Sequence, residues 1–219
     1  MTSGGPSRRL RHRFVEAPGS LGDRARGKRW DALNAAFPDL AEMRVIDLGG
    51  RADMWQRAPV RPAHVHLVNL EKQPQDLPDW ITAEVRDLIA EGAEGRYDLA
   101  FSNSVIEHVG GFAHREAFAG AVRELAPRHW VQTPYRYFPV EPHFLFPGFQ
   151  FLPLAARAEI LRRWPLVHSR PDTRQRALET ALSVELLSRA ELQLLFPDSE
   201  VIEERVAGIP KSLIAVARG

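Results

Sequence analysis

Short apolar runs alternate with stretches of helical periodicity along this chain of 219 residues. The runs that predict β-strands fall at residues 45–48, 63–70, 80–85, 97–102 and 129–133. Between them, apolar residues at helical spacing predict a short helix at 31–40 and a longer one at 112–125. Strands that alternate with helices are typical of an α/β fold with a doubly wound, mostly parallel sheet.

The C-terminal third of the chain has a different pattern. Two helical stretches are predicted at about 154–164 and 174–187, and Ser188 with Glu191 forms a capping box that opens a third, short helix. Two further apolar strands, 200–206 and 211–218, are separated by a very short link. They must pair as an antiparallel hairpin, because a parallel crossover needs about a dozen residues or more. The predicted sheet therefore has seven strands and ends in a C-terminal antiparallel hairpin.

Residues 134–153 are dense in proline and aromatic side chains, a composition that interrupts regular structure. We interpret this segment as an ordered loop that covers a site. Residues 30–219 are predicted to form a single domain that includes the loop. Residues 1–29 carry eight Arg or Lys against Glu16 and Asp23, and they predict a basic, partly disordered arm. Contact of this arm with phosphate or another anion is the alternative reading.

Composition limits the classes of protein that this chain can belong to. It contains no cysteine, which excludes disulfides, thiolate metal sites and cysteine nucleophiles. No apolar run approaches the roughly 20 residues that a membrane-spanning helix needs. We therefore expect a cytoplasmic protein with no membrane partner. The net charge of +1 says little about other partners.

Two strand ends carry the most informative residues. The first strand stops at Asp47, and Gly49 and Gly50 follow in a turn where backbone can approach a ligand closely. The fourth strand opens into Ser102 and Asn103, the start of the stretch SNSVIEHV. Because the carboxyl ends of parallel strands meet at one edge of a sheet, the two strand ends can face one cleft.

These features together resemble the class I S-adenosylmethionine-dependent methyltransferases over about residues 40–219. The resemblance rests on the acidic residue and glycines after the first strand, an acid after the second strand (Glu71), an acid after the third (Asp87), SNSVIEHV after the fourth, and the closing hairpin. It implies a Rossmann-like fold and S-adenosylmethionine as cofactor. Arg51 departs from the pattern, which usually has glycine there. Either the turn is reshaped, or Arg51 helps to hold the carboxylate of the methionine part.

The resemblance also implies roles for single residues. Asp47 is expected to attract the amino group of the methionine part, with Gly49 and Gly50 in the turn beside it. An acid after the second strand takes both ribose hydroxyls, because a carboxylate offers acceptors to two donors. Glu71 is the preferred candidate for that role, and Asn69 is the alternative. The remaining expected contacts are Asp87 and Leu88 on the adenine, and the backbone groups of Ser102 and Asn103 on the far side of the cofactor.

Methyl transfer to a hydroxyl needs a positioned acceptor and a base for its proton, and histidine is suited to that task near neutral pH. We predict His143 as the base, oriented by Glu141 in the aromatic loop, with His108 after the fourth strand as the alternative. No spacing of histidines and carboxylates demands zinc, so no metal is predicted.

The acceptor is expected to be a small polyhydroxylated molecule. Tyr135, Arg136 and Tyr137 offer aromatic faces and a cation, a mixture suited to binding a carbohydrate. The loop is also loosely similar to bacterial methyltransferases of glycan synthesis; as the alternative, it is only an apolar lid. Nucleic acid is a less favoured acceptor, because no surface of interleaved basic and aromatic residues is visible. A nucleotide-binding module without catalytic activity is a further alternative, and Arg51 is its best support.

Overall fold

The computed structural model describes residues 21–92, 94–167 and 169–219, with side chains given from residue 27 onward. The first twenty residues of the predicted basic arm lie outside the described residues. The nine strands in the described part of the chain are β1 (Arg44–Leu48), β2 (His64–Asn69), β3 (Ile81–Val85), β4 (Leu99–Asn103), β5 (Arg128–Pro134), β6 (Val140–Glu141), β7 (Phe146–Pro147), β8 (Glu200–Val206) and β9 (Ile209–Ala217). The α-helices there are α1 (Leu21–Ala36), α2 (Ala52–Gln56), α3 (Leu88–Glu91), α4 (Phe112–Leu125), α5 (Leu154–Arg163), α6 (Arg174–Leu182) and α7 (Arg189–Leu195).

Seven strands form one sheet in the order β3-β2-β1-β4-β5-β9-β8. Strands β1 to β5 are parallel, while β9 runs antiparallel to β5 and β8 runs antiparallel to β9. The doubly wound sheet with a closing hairpin that the sequence predicts is therefore confirmed. The chain turns from one half of the sheet to the other between β1 and β4. In sheets of this kind, ligands bind beyond the carboxyl ends of the strands at that switch point.

Apolar layers cover both faces of the sheet. On one face α4 and α7 pack through Phe118, Val122 and Leu192, all buried. On the other face α1 packs through Leu33, around a group that includes Trp55 and Trp130. The central strands are buried on both sides, which is why they read in the sequence as continuous apolar runs rather than as alternating ones.

The boundaries of helices α1 and α6 differ from the predictions. Helix α1 begins at Leu21, ten residues before the predicted start, so residues 21–29 of the predicted arm are helical. This part of α1 has no apolar stripe and gives no periodic signal, although arginine and alanine favour helix. Helix α6 ends at Leu182 instead of residue 187. The backbone beyond it bonds elsewhere, since the amide of Glu185 donates to the carbonyl of Glu107 at 2.9 Å.

The proline-rich segment 134–153 is ordered by its own contacts. Strands β6 and β7 pair within it, and Gln150 donates to the carbonyls of Arg136 and Phe138 at 2.9 and 2.8 Å. Phe144 and Phe149 are buried against α5 and α6. In the described residues, no helix is both long and apolar enough to span a membrane.

Candidate active site

A cleft of about 500 Å³ lies at the carboxyl ends of β1, β2 and β4. It is called the cofactor cleft here, and its lining includes Gly49, Asn69, Glu71, Asp87, Leu88, Ile89, Ser104, Val105 and His108. The lining combines backbone of the glycine turn, acidic groups at one end and apolar side chains between them. This combination suits a ligand that has both charged groups and a flat ring.

The glycine turn after β1 has no room for side chains. Gly49 has φ +81°, and a Cβ on it would lie 2.5 Å from Cγ2 of Val105. A Cβ on Gly50 would lie 1.7 Å from Oδ2 of Asp47, so the carboxylate packs directly against the Gly50 backbone. Both glycines are therefore required for this close packing.

Asp47 lies beneath the turn and is fully buried. Its Oδ2 accepts a hydrogen bond from Nε1 of Trp55 at 2.7 Å, whereas its Oδ1 has no hydrogen-bond partner. Burial raises the pKa of Asp47 from 3.8 to about 7, against the opposing effect of the Trp55 hydrogen bond. A buried carboxyl oxygen without a partner is uncommon and calls for a donor that the protein alone does not provide.

Four ionisable side chains meet at one end of the cofactor cleft, and we call them the Glu–His cluster: Glu107, His108, Glu141 and His143. Oε1 of Glu141 accepts from Nδ1 of His143 at 2.7 Å, and its Oε2 accepts from the amide of Phe144 at 2.7 Å. Nε2 of His143 lies 3.2 Å from Nε2 of His108. The loop residues 141 and 143 and the strand-end residues 107 and 108 thus form one constellation.

Glu107 is the most buried member of the Glu–His cluster. Its Oε2 accepts from the hydroxyl of Thr133 at 3.0 Å, and its Oε1 makes no hydrogen bond and lies 3.8 Å from Nε2 of His143. Burial raises the pKa of Glu107 from 4.5 to about 7. Partial burial lowers the pKa of His108, and the neighbouring His143 lowers it further. Perturbed acids and bases beside a cleft are typical of catalytic sites.

A second cavity of about 490 Å³ lies on the other side of His143. Its lining joins His143 and Phe144 to polar side chains that include Ser169, Arg170, Asp172, Arg176, Glu179 and Thr180. His108 lines the cofactor cleft and His143 lines the second cavity, so the Glu–His cluster stands between the two spaces.

Several solved structures that share this fold are methyltransferases. A complex of DhpI with S-adenosylhomocysteine (SAH) aligns with 96% of this chain and 93% of its own, at 15% identity and a TM-score of 0.57. Magnesium protoporphyrin IX methyltransferase from Synechocystis PCC 6803, with bound SAH, covers 95% and 93% at 14% identity and a TM-score of 0.53. The 1,6-didemethyltoxoflavin-N1-methyltransferase from Burkholderia thailandensis covers 88% and 77% at 15% identity and a TM-score of 0.54.

The chain has the Rossmann-like fold of the class I methyltransferases. No family model matches the sequence, and no curated protein matches it. At identities of 15% or less, the likeness to these structures is one of fold.

Within this methyltransferase fold, the structure separates the two candidates at the end of β2. The amide of Asn69 donates to the carbonyls of Gly49 and Gly50 at 3.0 and 2.9 Å, and its Oδ1 accepts from the amide of Glu71 at 3.0 Å. The side chain of Asn69 thus uses its hydrogen bonds to hold the glycine turn in place. Glu71 is exposed at the cleft, and among the described residues no hydrogen bond or ion pair engages its carboxylate.

Asp87 also has a structural task. Its Oδ1 caps α3 by accepting from the amides of Ile89 and Ala90 at 3.0 and 3.3 Å. This is why a short helix that was not predicted forms here. Asp87 and Leu88 both line the cofactor cleft, as expected, and Ile89 lies beside them.

Ser102 and Asn103 do not line the cofactor cleft. Ser102 is buried and its hydroxyl donates to the carbonyl of Leu48 at 3.1 Å. Asn103 Oδ1 accepts from Nη1 of Arg29 at 2.5 Å, in a small pocket on the opposite side of the sheet. The next two residues, Ser104 and Val105, line the cofactor cleft instead. Side chains alternate along a strand, and the sequence did not show where β4 stops and its alternation ends.

Arg51 and the expected acceptor residues lie at the periphery. Arg51 lines the edge of the cofactor cleft, and its exposed guanidinium pairs with Asp53 at 3.3 Å. Arg136 donates to the carbonyl of Leu186 and pairs with Glu191, so it ties the aromatic loop to α7. It also lines a separate cavity of about 310 Å³. Tyr135 and Tyr137 contact each other edge to face and do not line the second cavity.

Sequence reasoning missed Glu107 and the polar side chains of the second cavity. Glu107 adjoins His108 in SNSVIEHV, and an acid directly beside a candidate histidine was the signal that could have found it. The polar residues around α6, among them Arg176 and Glu179, gave no signal because helical charged residues are usually solvated.

Proposed function

We propose that this chain transfers the methyl group of S-adenosylmethionine to a hydroxyl of a small polyhydroxylated acceptor, a carbohydrate being the favoured class. The carrying observation is the position of the Glu–His cluster, which stands between the cofactor cleft and a second, polar cavity. A group that activates an acceptor is needed at such a junction, because the acceptor atom must come within about 3 Å of the methyl group.

The cofactor cleft fits S-adenosylmethionine on features of this structure. Backbone of the glycine turn lines the cleft at Gly49, and the unpartnered Oδ1 of the buried Asp47 would suit a positive amino group. The free carboxylate of Glu71 would hold the two ribose hydroxyls. Asp87 would accept from the adenine amino group, while Leu88 packs against the ring. The same fold holds SAH in the complexes of DhpI and of magnesium protoporphyrin IX methyltransferase.

When bound, S-adenosylmethionine supplies a methyl group on a positively charged sulfur. The role of the protein is to hold the acceptor oxygen and to remove its proton. Because the Glu141 carboxylate accepts a hydrogen bond from Nδ1 of His143, Nδ1 carries the proton and Nε2 keeps its lone pair. His143 is thereby set to accept a hydroxyl proton at Nε2. Glu141 stabilises the imidazolium that forms.

The second cavity supports a hydroxyl-rich acceptor. Its wall places arginines beside acids and a hydroxyl, which are donors and acceptors in close alternation: Arg170, Arg176, Asp172, Glu179 and Thr180. Hydroxyl groups are both donors and acceptors and match such a wall. The ring of Phe144 adds an apolar surface.

The test is transfer of labelled methyl from S-adenosylmethionine to a panel of mono- and oligosaccharides, with amines, carboxylic acids and RNA as competing panels. We expect transfer to a sugar hydroxyl, strongly reduced in His143→Ala and retained in His64→Ala, a matched change of a partly exposed histidine that bonds Thr82. Transfer only to amines, carboxylates or RNA would contradict the proposed acceptor. Tight binding of SAH with no methyl transfer to any of these acceptors would favour a binding module without catalytic activity.

A further inference from the structure

We propose that Nε2 of His108, Nε2 of His143 and Oε1 of Glu107 form a binding site for a divalent transition-metal cation. The three atoms lie within 4.8 Å of one another, between the cofactor cleft and the second cavity. No metal signal is visible in the sequence, because the two histidines are 35 positions apart and only the fold joins them.

The hydrogen bonds on the far sides of the two rings carry the argument. Nδ1 of His143 bonds the Glu141 carboxylate at 2.7 Å, and Nδ1 of His108 lies 3.1 Å from the carbonyl oxygen of Ser183. Both partners can only accept, so both Nδ1 atoms carry a proton. In neutral rings, the two Nε2 atoms then present lone pairs to each other.

Those two Nε2 atoms are 3.2 Å apart. Lone pairs that face each other at this distance repel, so a positive centre has to lie between them. Either a shared proton or a metal cation meets that need. A shared proton satisfies the two nitrogens alone, whereas a cation between them can also take a ligand from a third group.

Glu107 adds a third ligand atom and favours the cation over the proton. Its Oε1 is buried without a hydrogen bond, and it lies 3.8 Å from Nε2 of His143. Its other oxygen is held by the Thr133 hydroxyl, which fixes the direction of the carboxylate. Two neutral imidazoles with one carboxylate are a donor set that suits zinc, manganese and iron ions.

The groups that accept hydrogen bonds from the two Nδ1 atoms are of the kind found in known metal sites. A histidine that binds metal usually donates its other ring N–H to a carboxylate or a backbone carbonyl. Here Glu141 and the carbonyl of Ser183 take these two positions. Ligands held in this way need little reorganisation when an ion arrives.

Three protein ligands leave coordination positions for an acceptor. This step alone rests on the proposed function: an acceptor hydroxyl bound to the cation loses its proton more easily, and adjacent hydroxyls of a sugar can bind it together. With the cation bound, His143 is a ligand and the acceptor proton passes to water; in the metal-free protein, His143 accepts that proton itself. Binding of the ion itself does not depend on methyl transfer.

The experiment titrates Co²⁺, Mn²⁺ and Zn²⁺ into chelator-treated protein that carries no polyhistidine tag, by calorimetry and, for Co²⁺, by visible absorption. It is done without S-adenosylmethionine, so its outcome is separate from that of the methyl-transfer assay. We expect equimolar binding of at least one ion. His143→Ala and Glu107→Gln should weaken it at least tenfold, and Glu141→Gln about tenfold to a hundredfold as an orienting residue.

His64→Ala is the matched control and should bind as the wild type does. Circular dichroism and SAH affinity show whether each variant is folded, and Glu107→Gln keeps the shape of the side chain where an alanine would leave a hole. Failure of the wild type to bind any of the three ions in equimolar amount would overturn the site. So would unchanged affinity in folded His108→Ala and His143→Ala.

Discussion

Replacing Asp47 by Asn should stabilise the ligand-free protein at alkaline pH and weaken its binding of S-adenosylmethionine. The carboxyl is fully buried, one of its oxygens has no partner, and burial raises its pKa from 3.8 to about 7. Asn has the same shape, retains an oxygen for the Trp55 hydrogen bond and carries no charge. The variant therefore removes the cost of a buried charge and little else.

The sign and size follow from the pKa shift. The folded protein holds the Asp47 proton up to about pH 7, whereas the unfolded chain releases it near 3.8, so stability falls as pH rises between these values. A shift of about three pKa units corresponds to about 4 kcal/mol once the carboxylate is charged. Asp47→Asn should gain on that order relative to wild type at pH 8.5 and almost nothing at pH 4.

Urea unfolding at the two pH values measures this difference. Asp53→Asn is the control, because it removes an exposed carboxylate from the same region and should change stability by about 0.5 kcal/mol or less. Calorimetry should show about tenfold to hundredfold weaker binding of S-adenosylmethionine in Asp47→Asn, from the loss of one charged hydrogen bond. A variant no more stable than wild type at pH 8.5, or one that binds the cofactor equally well, would refute the reasoning.

Three further outcomes follow from the site and the core. Glu71→Ala should lower SAH affinity about tenfold to a hundredfold without loss of stability. Asn69→Ala should lower the free energy of unfolding, because the glycine turn loses the two hydrogen bonds from the Asn69 side chain. Equal effects of the two variants on stability in urea unfolding would contradict these separate roles. His143→Ala should reduce turnover about 10²- to 10⁴-fold with SAH affinity within a few-fold, and a variant with normal turnover would remove His143 from the chemistry. Burial lowers the pKa of His129 from 6.5 to about 4, so this residue should cost the folded protein about 3 kcal/mol as pH falls from 6.5 to 4, against the gain from Asp47; urea unfolding should show the wild type falling by that amount relative to His129→Gln over the same interval.

The sheet could be predicted from the sequence because each central strand is buried on both faces. Apolar runs such as Val45–Leu48 are then bounded by turn residues that mark their ends. The capping box at Ser188 and Glu191 was predictable for a similar reason, since both of its hydrogen bonds are local. Helix α3 was missed because a single residue, Asp87, opens it and no periodicity accompanies so short an element.

The site could be predicted only in part, because its geometry depends on contacts between distant residues. His108 and His143 stood as alternative bases in the sequence, and the fold brings them 3.2 Å apart. At the end of β4, the side chain of Asn103 bonds Arg29 and does not line the cofactor cleft. Helix α1, which carries Arg29, had no periodic signal, so this partner was invisible in the sequence.

The central claim is that the cofactor cleft binds S-adenosylmethionine with its methyl group beside the Glu–His cluster. A crystal structure with bound SAH tests it most directly. We predict the ribose on Glu71, the adenine beside Asp87 and the sulfur facing the His108 and His143 rings. A protein that shows no saturable binding of SAH, or that holds it with the sulfur turned away from both histidines, would contradict the account.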